Sequence, residues 1–149
     1  MPMKKVFTIK DDALTYEEVY SFVREHSCYF TPHFEKQVKD LVLYVDKIMR
    51  HASIYYVNYN QTIVAMMFVY YDTSLSQVYI PYICVDCKFY GHGIGKSLIE
   101  SLKKKIDFKY IRLEVSKSNS AFVFYSKLGF VEEEDRGNKL LMRYQIIHP

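Results

Sequence analysis

Apolar residues recur at helical or strand spacing along most of the chain, and this periodicity predicts the order of the elements. Thr15 and Glu18 have the spacing of a capping box, which predicts the start of a first helix. The apolar stripe of that helix comprises Leu14, Val19, Phe22 and Val23. A second helix is expected to begin near Pro32. Its apolar face comprises Phe34, Val38, Leu41, Val42, Val45, Ile48 and Met49.

Runs of alternating or continuous apolar residues predict the strands. These runs are Lys5–Ile9, Ile54–Tyr59, Thr62–Tyr71, Gln77–Val85, Tyr110–Val115, Phe130–Glu134 and Lys139–Ile147. Two further helices are expected at Lys96–Ile106 and Asn119–Leu128. The resulting order, β-α-α-β-β-β-α-β-α-β-β, places hairpins around a central β-α-β unit. It predicts an α/β (α+β) fold, a mixed twisted sheet of six or seven strands covered by about four helices.

Length and composition favour one compact domain over residues 1–149, because half of the residues are apolar and can form a core. The net charge is +3, and no basic stripe with interleaved aromatic residues is present, so we expect no nucleic-acid partner. A homodimer is compatible with the sequence, which does not fix the oligomeric state.

The three cysteines, Cys28, Cys84 and Cys87, are too few and too unevenly spaced for a disulfide framework, and reduced thiols fit a cytoplasmic protein. The longest apolar run, Ile63–Tyr71, is too short to cross a bilayer, so we expect no membrane partner. Zinc requires a second ligand pair besides Cys84 and Cys87, and none has the right spacing, so no metal is expected. His26 and His33 are expected at the surface.

The segment Val85–Lys96 leads from a strand, through three alternate glycines, into a helix. Glycines allow the backbone to approach a ligand closely, and the first amides of a helix lack partners and attract anions. The segment therefore predicts a phosphate or diphosphate site, although a tight turn without a ligand has the same pattern. Neither nucleotide-binding motif fits fully. A P-loop requires a glycine in place of Tyr90, and a dinucleotide fingerprint requires a glycine in place of Lys96. Glu114 has a plausible spacing for the ribose-binding acid of that fingerprint.

Two stretches resemble the GNAT superfamily of N-acetyltransferases. The first, YGHGIGKSLI, is similar to the family's acetyl-CoA loop, with Tyr90 in the position of its Gln or Arg. The second, NSAFVFYSKLGF at 119–130, contains the Ala, Tyr, Lys and Leu-Gly-Phe that family members often show. One helix and one strand separate the two stretches, as in the family. The resemblance extends from about residue 5 to the end of the chain.

The resemblance implies an N-acetyltransferase that uses acetyl-CoA as co-substrate and a small-molecule primary amine as acceptor. It implies that Tyr125 protonates the leaving thiolate, and that the N–H of Val85 polarises the thioester carbonyl. The remaining residues that it implies for the cofactor are Ile83, Cys84, Tyr90, Gly91, His92, Gly93, Ile94, Gly95, Lys96 and Asn119. The acceptor would contact Tyr29, Phe30, His33 and Tyr79, the last of which occupies the position of a family Glu.

The general base stays open at this stage, since a tyrosine, a histidine or a chain of ordered waters would serve. Two other functions also stay open. A nucleotide-dependent enzyme would use the same glycine-rich turn, and a non-catalytic module would bind coenzyme A without turnover.

Overall fold

The computed structural model describes residues 6–105, 107–117 and 120–146. Seven strands form one mixed sheet in the order β1-β2-β3-β4-β5-β7-β6, which confirms the predicted fold class. The strands are β1 (Ile9–Lys10), β2 (Ser53–Tyr59), β3 (Thr62–Asp72), β4 (Gln77–Val85), β5 (Tyr110–Ser116), β6 (Val131–Asp135) and β7 (Lys139–Gln145). The helices are α1 (Tyr16–Glu25), α2 (Phe34–Gln37), α3 (Leu41–His51), α4 (Ile94–Leu102) and α5 (Ala121–Lys127).

The predicted capping box is present at the start of α1. The hydroxyl of Thr15 accepts a hydrogen bond from the Glu18 amide at 3.1 Å, and the Glu18 carboxylate accepts one from the Thr15 amide at 2.9 Å. The hairpin between β2 and β3 turns at Asn60 and Gln61, which both have positive φ, as a two-residue hairpin turn of type I′ requires.

The prediction of one continuous second helix is wrong, because the chain breaks it into α2 and α3 at residues 38–40. Lys39 adopts a left-handed conformation with φ of 65°, which no helix interior permits. The Asp40 side chain then accepts a hydrogen bond from the Leu43 amide at 3.1 Å and caps α3. The apolar spacing of the two short helices is nearly in phase, which is why the sequence pattern did not reveal the break.

Two apolar clusters cover opposite faces of the sheet. Helix α4 contributes Leu98, Ile99 and Leu102 to the first cluster, which packs on one face and includes Tyr125 of α5. Helices α1, α2 and α3 pack on the other face, over residues of β3 and β4 such as Phe68. Strand β4 thus lies between the two layers of helices, and its C-terminal end lies where α1, α4 and α5 meet.

Near Pro81 the side chains of strand β4 switch from one face of the sheet to the other, and the pairing of β4 with β5 ends. A bulge there places Ile80 and Pro81 opposite one residue of β3, so Ile80 faces the first cluster whereas Tyr82 faces the second. The parallel ladder with β5 covers only Gln77–Ile80 of β4, and Pro81 has no N–H with which to extend it. Beyond Leu113 the strand β5 pairs with β7 alone among the described residues, so β4 and β5 separate.

Candidate active site

The separation of β4 and β5 exposes backbone hydrogen-bonding groups of β4. The amide of Asp86 donates to the carbonyl of Val64 on β3 at 2.8 Å, which shows the direction in which this residue's backbone points. Backbone groups alternate in direction along an antiparallel ladder, so the N–H and C=O groups of Ile83 and Val85 point away from β3. No strand of the described residues pairs with them on that side. An extended ligand can therefore hydrogen-bond to this edge as an added strand does.

The glycine-rich turn follows directly and opens α4 toward the same space. One turn of 3₁₀ helix, Cys87–Phe89, leads to Gly91 and Gly93, whose φ values of 83° and 74° lie in the region that favours glycine. Gly93 is the residue before α4, and no side chain of the described residues caps this helix end. The first amides of α4 are thus available to an anion, where the helix dipole adds a partial positive charge.

A cavity of about 500 Å³ lies between this turn, the β4 edge and α5. Nine of the residues predicted to bind the cofactor line it: Ile83, Cys84, Val85, Tyr90, Gly91, Gly93, Ile94, Gly95 and Lys96. Phe124 also lines it, which the sequence did not indicate, and the ring lies 3.4 Å from where a Cβ on Gly95 would stand. The His92 ring lies outside the lining and contacts Phe7 at 5.4 Å between centroids. Asn119 lies outside the described residues.

A second, smaller cavity of about 160 Å³ opens where β4 and β5 diverge. It shares Ile83 and Tyr125 with the larger cavity, so the two meet at these side chains. Of the residues predicted for the acceptor, Phe30 and Tyr79 line it. Tyr29 and His33 do not, since His33 is exposed at the start of α2 and the Tyr29 hydroxyl accepts a hydrogen bond from the Cys87 amide at 3.2 Å.

Tyr125 is placed at the junction of the two cavities by α5. Its side chain is only 7% exposed, and its ring makes edge contacts with Phe124 and Phe130 at 5.1 and 5.6 Å between centroids. Burial raises the pKa of Tyr125 well above its usual value, and the nearby Cys84 adds to the rise. The phenol therefore keeps its proton at neutral pH and can donate it as a hydrogen bond.

A polar group on β5 faces the smaller cavity. The Tyr79 hydroxyl donates a hydrogen bond to the Glu114 carboxylate at 3.2 Å, and Arg136 lies 3.4 Å from the other oxygen of that carboxylate. Burial, followed by the charge of Glu114, raises the pKa of Tyr79 to about 12. The sequence had indicated Glu114 only as a ribose-binding acid. Its alternation with the buried Leu113 and Val115 was the signal that its side chain lies on the opposite face of β5 from the core.

His26 is buried, contrary to the expectation that it lies at the surface, and only 5% of it is exposed. It follows α1 directly, and its ring stacks on Phe22 with 4.0 Å between centroids. Its Nδ1 lies 2.7 Å from the Phe22 carbonyl oxygen and its Nε2 lies 2.9 Å from a carboxylate oxygen of Asp86. The hydrogen bonds of His26 therefore connect the end of α1 to Asp86, the residue that follows β4.

Within the described part of the chain, no three or more His, Cys, Asp and Glu side chains are arranged to hold a metal ion. The helices of the described ranges are all too short or too polar to cross a membrane.

Comparisons with known proteins show which sequences and structures this chain resembles. Residues 11–145 match the model of the acetyltransferase (GNAT) domain family. A stretch of 76 residues is 35% identical to cysteine-rich protein 2-binding protein of Mus musculus. That match covers 51% of this chain but only 10% of the mouse protein, so the chain corresponds to a small part of this relative.

Solved structures share the fold at low sequence identity. PaiA N-acetyltransferase from Thermoplasma acidophilum, in complex with coenzyme A, has a TM-score of 0.73 at 18% identity, with 95% of this chain and 99% of that chain covered. The ribosomal-protein-S18-alanine N-acetyltransferase from Escherichia coli has a TM-score of 0.73 at 19% identity, with 97% and 96% covered. Aminoglycoside 6′-acetyltransferase type Ii has a TM-score of 0.76 at 14% identity, with 95% and 99% covered.

Proposed function

Because this chain belongs to the GNAT acetyltransferase family, we propose that it moves an acetyl group from acetyl-CoA to the primary amine of a small-molecule acceptor by direct attack. The observation that carries the proposal is the meeting of two cavities at Ile83 and Tyr125. The larger one offers an open strand edge and free helix amides, and the smaller one offers a carboxylate. A thioester at the junction would face an amine in the smaller cavity.

The larger cavity has the complementary groups for coenzyme A at both of its ends. The diphosphate would accept hydrogen bonds from the amides around Gly93 at the start of α4, where a helix end stabilises negative charge. The pantetheine amides would pair with the backbone of Ile83 and Val85 along the open edge of β4. Phe124 would cover the cofactor from the side of α5.

The acetyl transfer needs one group to stabilise the oxyanion and one to stabilise the departing thiolate. An N–H from the open edge, with Val85 as the candidate, would donate to the thioester oxygen as negative charge develops on it. Tyr125 would donate its phenolic proton to the coenzyme A sulfur as the C–S bond breaks. Its position at the junction of the two cavities supports this role, and at neutral pH the phenol still carries the proton that the thiolate would accept.

The attacking amine must lose a proton, and we assign Glu114 as the base that takes this proton. Tyr79 is unsuited to the role, since a phenol whose pKa is about 12 stays protonated at neutral pH. It instead donates to Glu114 and orients that carboxylate toward the cavity. The carboxylate would attract the ammonium form of the acceptor and take its proton, directly or through one water.

The size of the smaller cavity supports a small acceptor group. A volume of about 160 Å³ compares with the roughly 150 Å³ in which an engineered protein cavity holds benzene. The structural relatives include, by name, an aminoglycoside acetyltransferase and a ribosomal-protein alanine acetyltransferase, so the fold alone does not select between the two kinds of acceptor. Phe30 and Phe34 supply an apolar wall for the carbon skeleton that carries the amine.

The decisive experiment is a calorimetric titration with acetyl-CoA, followed by a screen of amines that measures release of free coenzyme A thiol. We expect binding of acetyl-CoA, a higher melting temperature in its presence, and turnover of at least one small primary amine. Binding of NAD or ATP but not acetyl-CoA would support the nucleotide-dependent alternative. Acetyl-CoA binding without turnover on any amine would indicate a non-catalytic module. Turnover of peptide N-termini alone would overturn the small-molecule acceptor.

A further inference from the structure

Two segments 60 residues apart in the chain meet beside the glycine-rich turn. His26 and Tyr29 lie in the segment that joins α1 to α2, and Asp86 and Cys87 lie where β4 ends. His26 Nε2 is 2.9 Å from Asp86 Oδ2, and the Cys87 amide donates to the Tyr29 hydroxyl at 3.2 Å. The His26 and Tyr29 rings also contact each other, with 4.9 Å between centroids. Nothing in the catalytic steps above uses His26 or Asp86.

The hydrogen bonds of His26 determine where its protons lie. A carbonyl oxygen only accepts, so Nδ1 must donate to Phe22. The hydrogen bond from His26, together with that from the Lys88 amide and the charge of Lys88, lowers the pKa of Asp86, which is therefore a carboxylate at neutral pH. A carboxylate also only accepts, so both ring nitrogens of His26 face groups that can only accept a hydrogen bond. This is the geometry of an imidazolium paired with a carboxylate, with 6% of the His26 side chain and 25% of the Asp86 side chain exposed.

Asp86 connects this ion pair to the 3₁₀ turn that precedes the glycine-rich turn. Its second carboxylate oxygen accepts a hydrogen bond from the Lys88 amide at 2.9 Å and caps the 3₁₀ turn that leads to Tyr90. Its carbonyl accepts from the Phe89 amide at 2.9 Å. Burial raises the pKa of Tyr90, at the start of the glycine-rich turn, and the charge of Asp86 is the smallest of the contributions that add to this rise. A carboxylate here would repel a diphosphate unless a cation compensates it.

We propose that His26 is a positioning residue for the cofactor, because it holds Asp86 in place and compensates the charge of this carboxylate beside the diphosphate-binding turn. The proposal rests on the proposed function in one respect, that the turn binds the diphosphate of acetyl-CoA. His26 touches neither the reacting atoms nor the cofactor and acts through Asp86. The ion pair also fixes the α1–α2 segment, which bears Phe30, relative to the cofactor turn.

The test is calorimetric titration of acetyl-CoA into four proteins: the wild type, His26→Gln, Asp86→Asn, and the variant that combines both substitutions. His51→Gln is the matched control, since His51 is exposed at the end of α3. Circular dichroism and melting curves establish that each variant is folded. We expect His26→Gln to weaken acetyl-CoA binding about tenfold, because it removes the histidine partner of the Asp86 carboxylate beside the glycine-rich turn. We expect the double variant to bind acetyl-CoA at least about threefold more tightly than His26→Gln does, because it has no carboxylate at position 86 whose charge needs a cation.

The double variant separates the proposal from loss of packing alone. If His26 only filled space, Asp86→Asn would add a second defect, and the double variant would bind no better than His26→Gln. That result, or unchanged affinity in a folded His26→Gln protein, overturns the proposal. Absence of acetyl-CoA binding by the wild type overturns the proposed function itself, so the two failures are distinguishable. Should His26→Gln not fold, nitrogen NMR of the wild-type imidazole decides, and a neutral ring would overturn the proposal.

Discussion

The Tyr79 hydroxyl donates a hydrogen bond to the Glu114 carboxylate across 3.2 Å, and so connects β4 and β5 at the level where their ladder ends. Tyr79 is opposite Arg112 in the register, and Glu114 is the first β5 residue beyond the last paired position. The bond therefore spans the opening of the smaller cavity. It gives the carboxylate a fixed direction in a place where the separating strands no longer constrain each other.

This geometry predicts that Glu114→Gln lowers turnover of the acceptor amine by about 10²-fold, the lower end of the usual effect of a general base. The amide keeps the shape and can still accept from Tyr79, but it cannot take a proton. Steady-state rates over a range of amine concentrations measure the change. Glu132→Gln, on the exposed strand β6, is the matched control and should keep wild-type rates. Undiminished turnover by Glu114→Gln would remove the carboxylate from the mechanism.

Gly93→Val is predicted to abolish acetyl-CoA binding while the protein stays folded. At φ of 74° a β-branched residue is strained by at least about 1–2 kcal/mol, so the backbone before α4 must change and its amides turn away from the diphosphate. Calorimetric titration with acetyl-CoA measures the loss.

Gly137→Val is its control, because Gly137 has φ of 87° and equally open surroundings in the turn between β6 and β7. It carries the same kind of strain far from the cofactor turn. Equal affinities for acetyl-CoA in the two folded variants would contradict the assignment of the diphosphate site.

The sequence predicted the sheet, most helices and the glycine-rich turn before α4 because each depends on local patterns. Alternation fixes the strands, and three spaced glycines before a helix predict a turn whose backbone can approach an anion, although a tight turn without a ligand has the same pattern. The bulge at Ile80–Pro81 and the burial of His26 could not be foreseen, since both depend on which strands and helices become neighbours. Pro81 was nevertheless a local sign, because proline within a strand marks a place where pairing ends.

The acceptor side was harder to predict for the same reason. Phe30 and Tyr79 were predicted to contact the acceptor and do line the smaller cavity, whereas Glu114 enters this cavity only because β5 diverges from β4. Its sequence context, alternating with buried residues, shows that it leaves the core but not what it faces. His33 and Tyr29 share the loop of Phe30, yet the turn at Ser27–Tyr29 and the start of α2 direct them elsewhere.

Tyr125→Phe is predicted to lower turnover by about 10²-fold and to leave the affinity for acetyl-CoA nearly unchanged. The substitution removes only the hydroxyl, so the packing of the ring against Phe124 and Phe130 is retained. Tyr144→Phe is the matched control, because Tyr144 packs on the same Phe130 but lies outside both cavities. A wild-type rate in Tyr125→Phe would exclude the phenol as the proton donor to the thiolate.

The ion pair of Asp86 predicts a pH dependence of stability. The pKa of Asp86 is lowered in the folded protein from its usual 3.8, first by the hydrogen bond from His26. A lowered pKa means that the folded state binds this proton less readily than the unfolded state does. The contribution of the Asp86 carboxylate to the free energy of unfolding is therefore complete above pH 3.8 and is lost as the pH falls through the lowered pKa.

Asp86→Asn lacks this ionisation, so its melting temperature should lie below that of the wild type at pH 7. The difference should narrow below pH 3.8, where the unfolded wild-type carboxyl gains its proton before the folded one does. Scanning calorimetry of both proteins between about pH 3 and 7 measures it. A difference that stays constant down to acid pH would show that the carboxylate charge contributes nothing to folding.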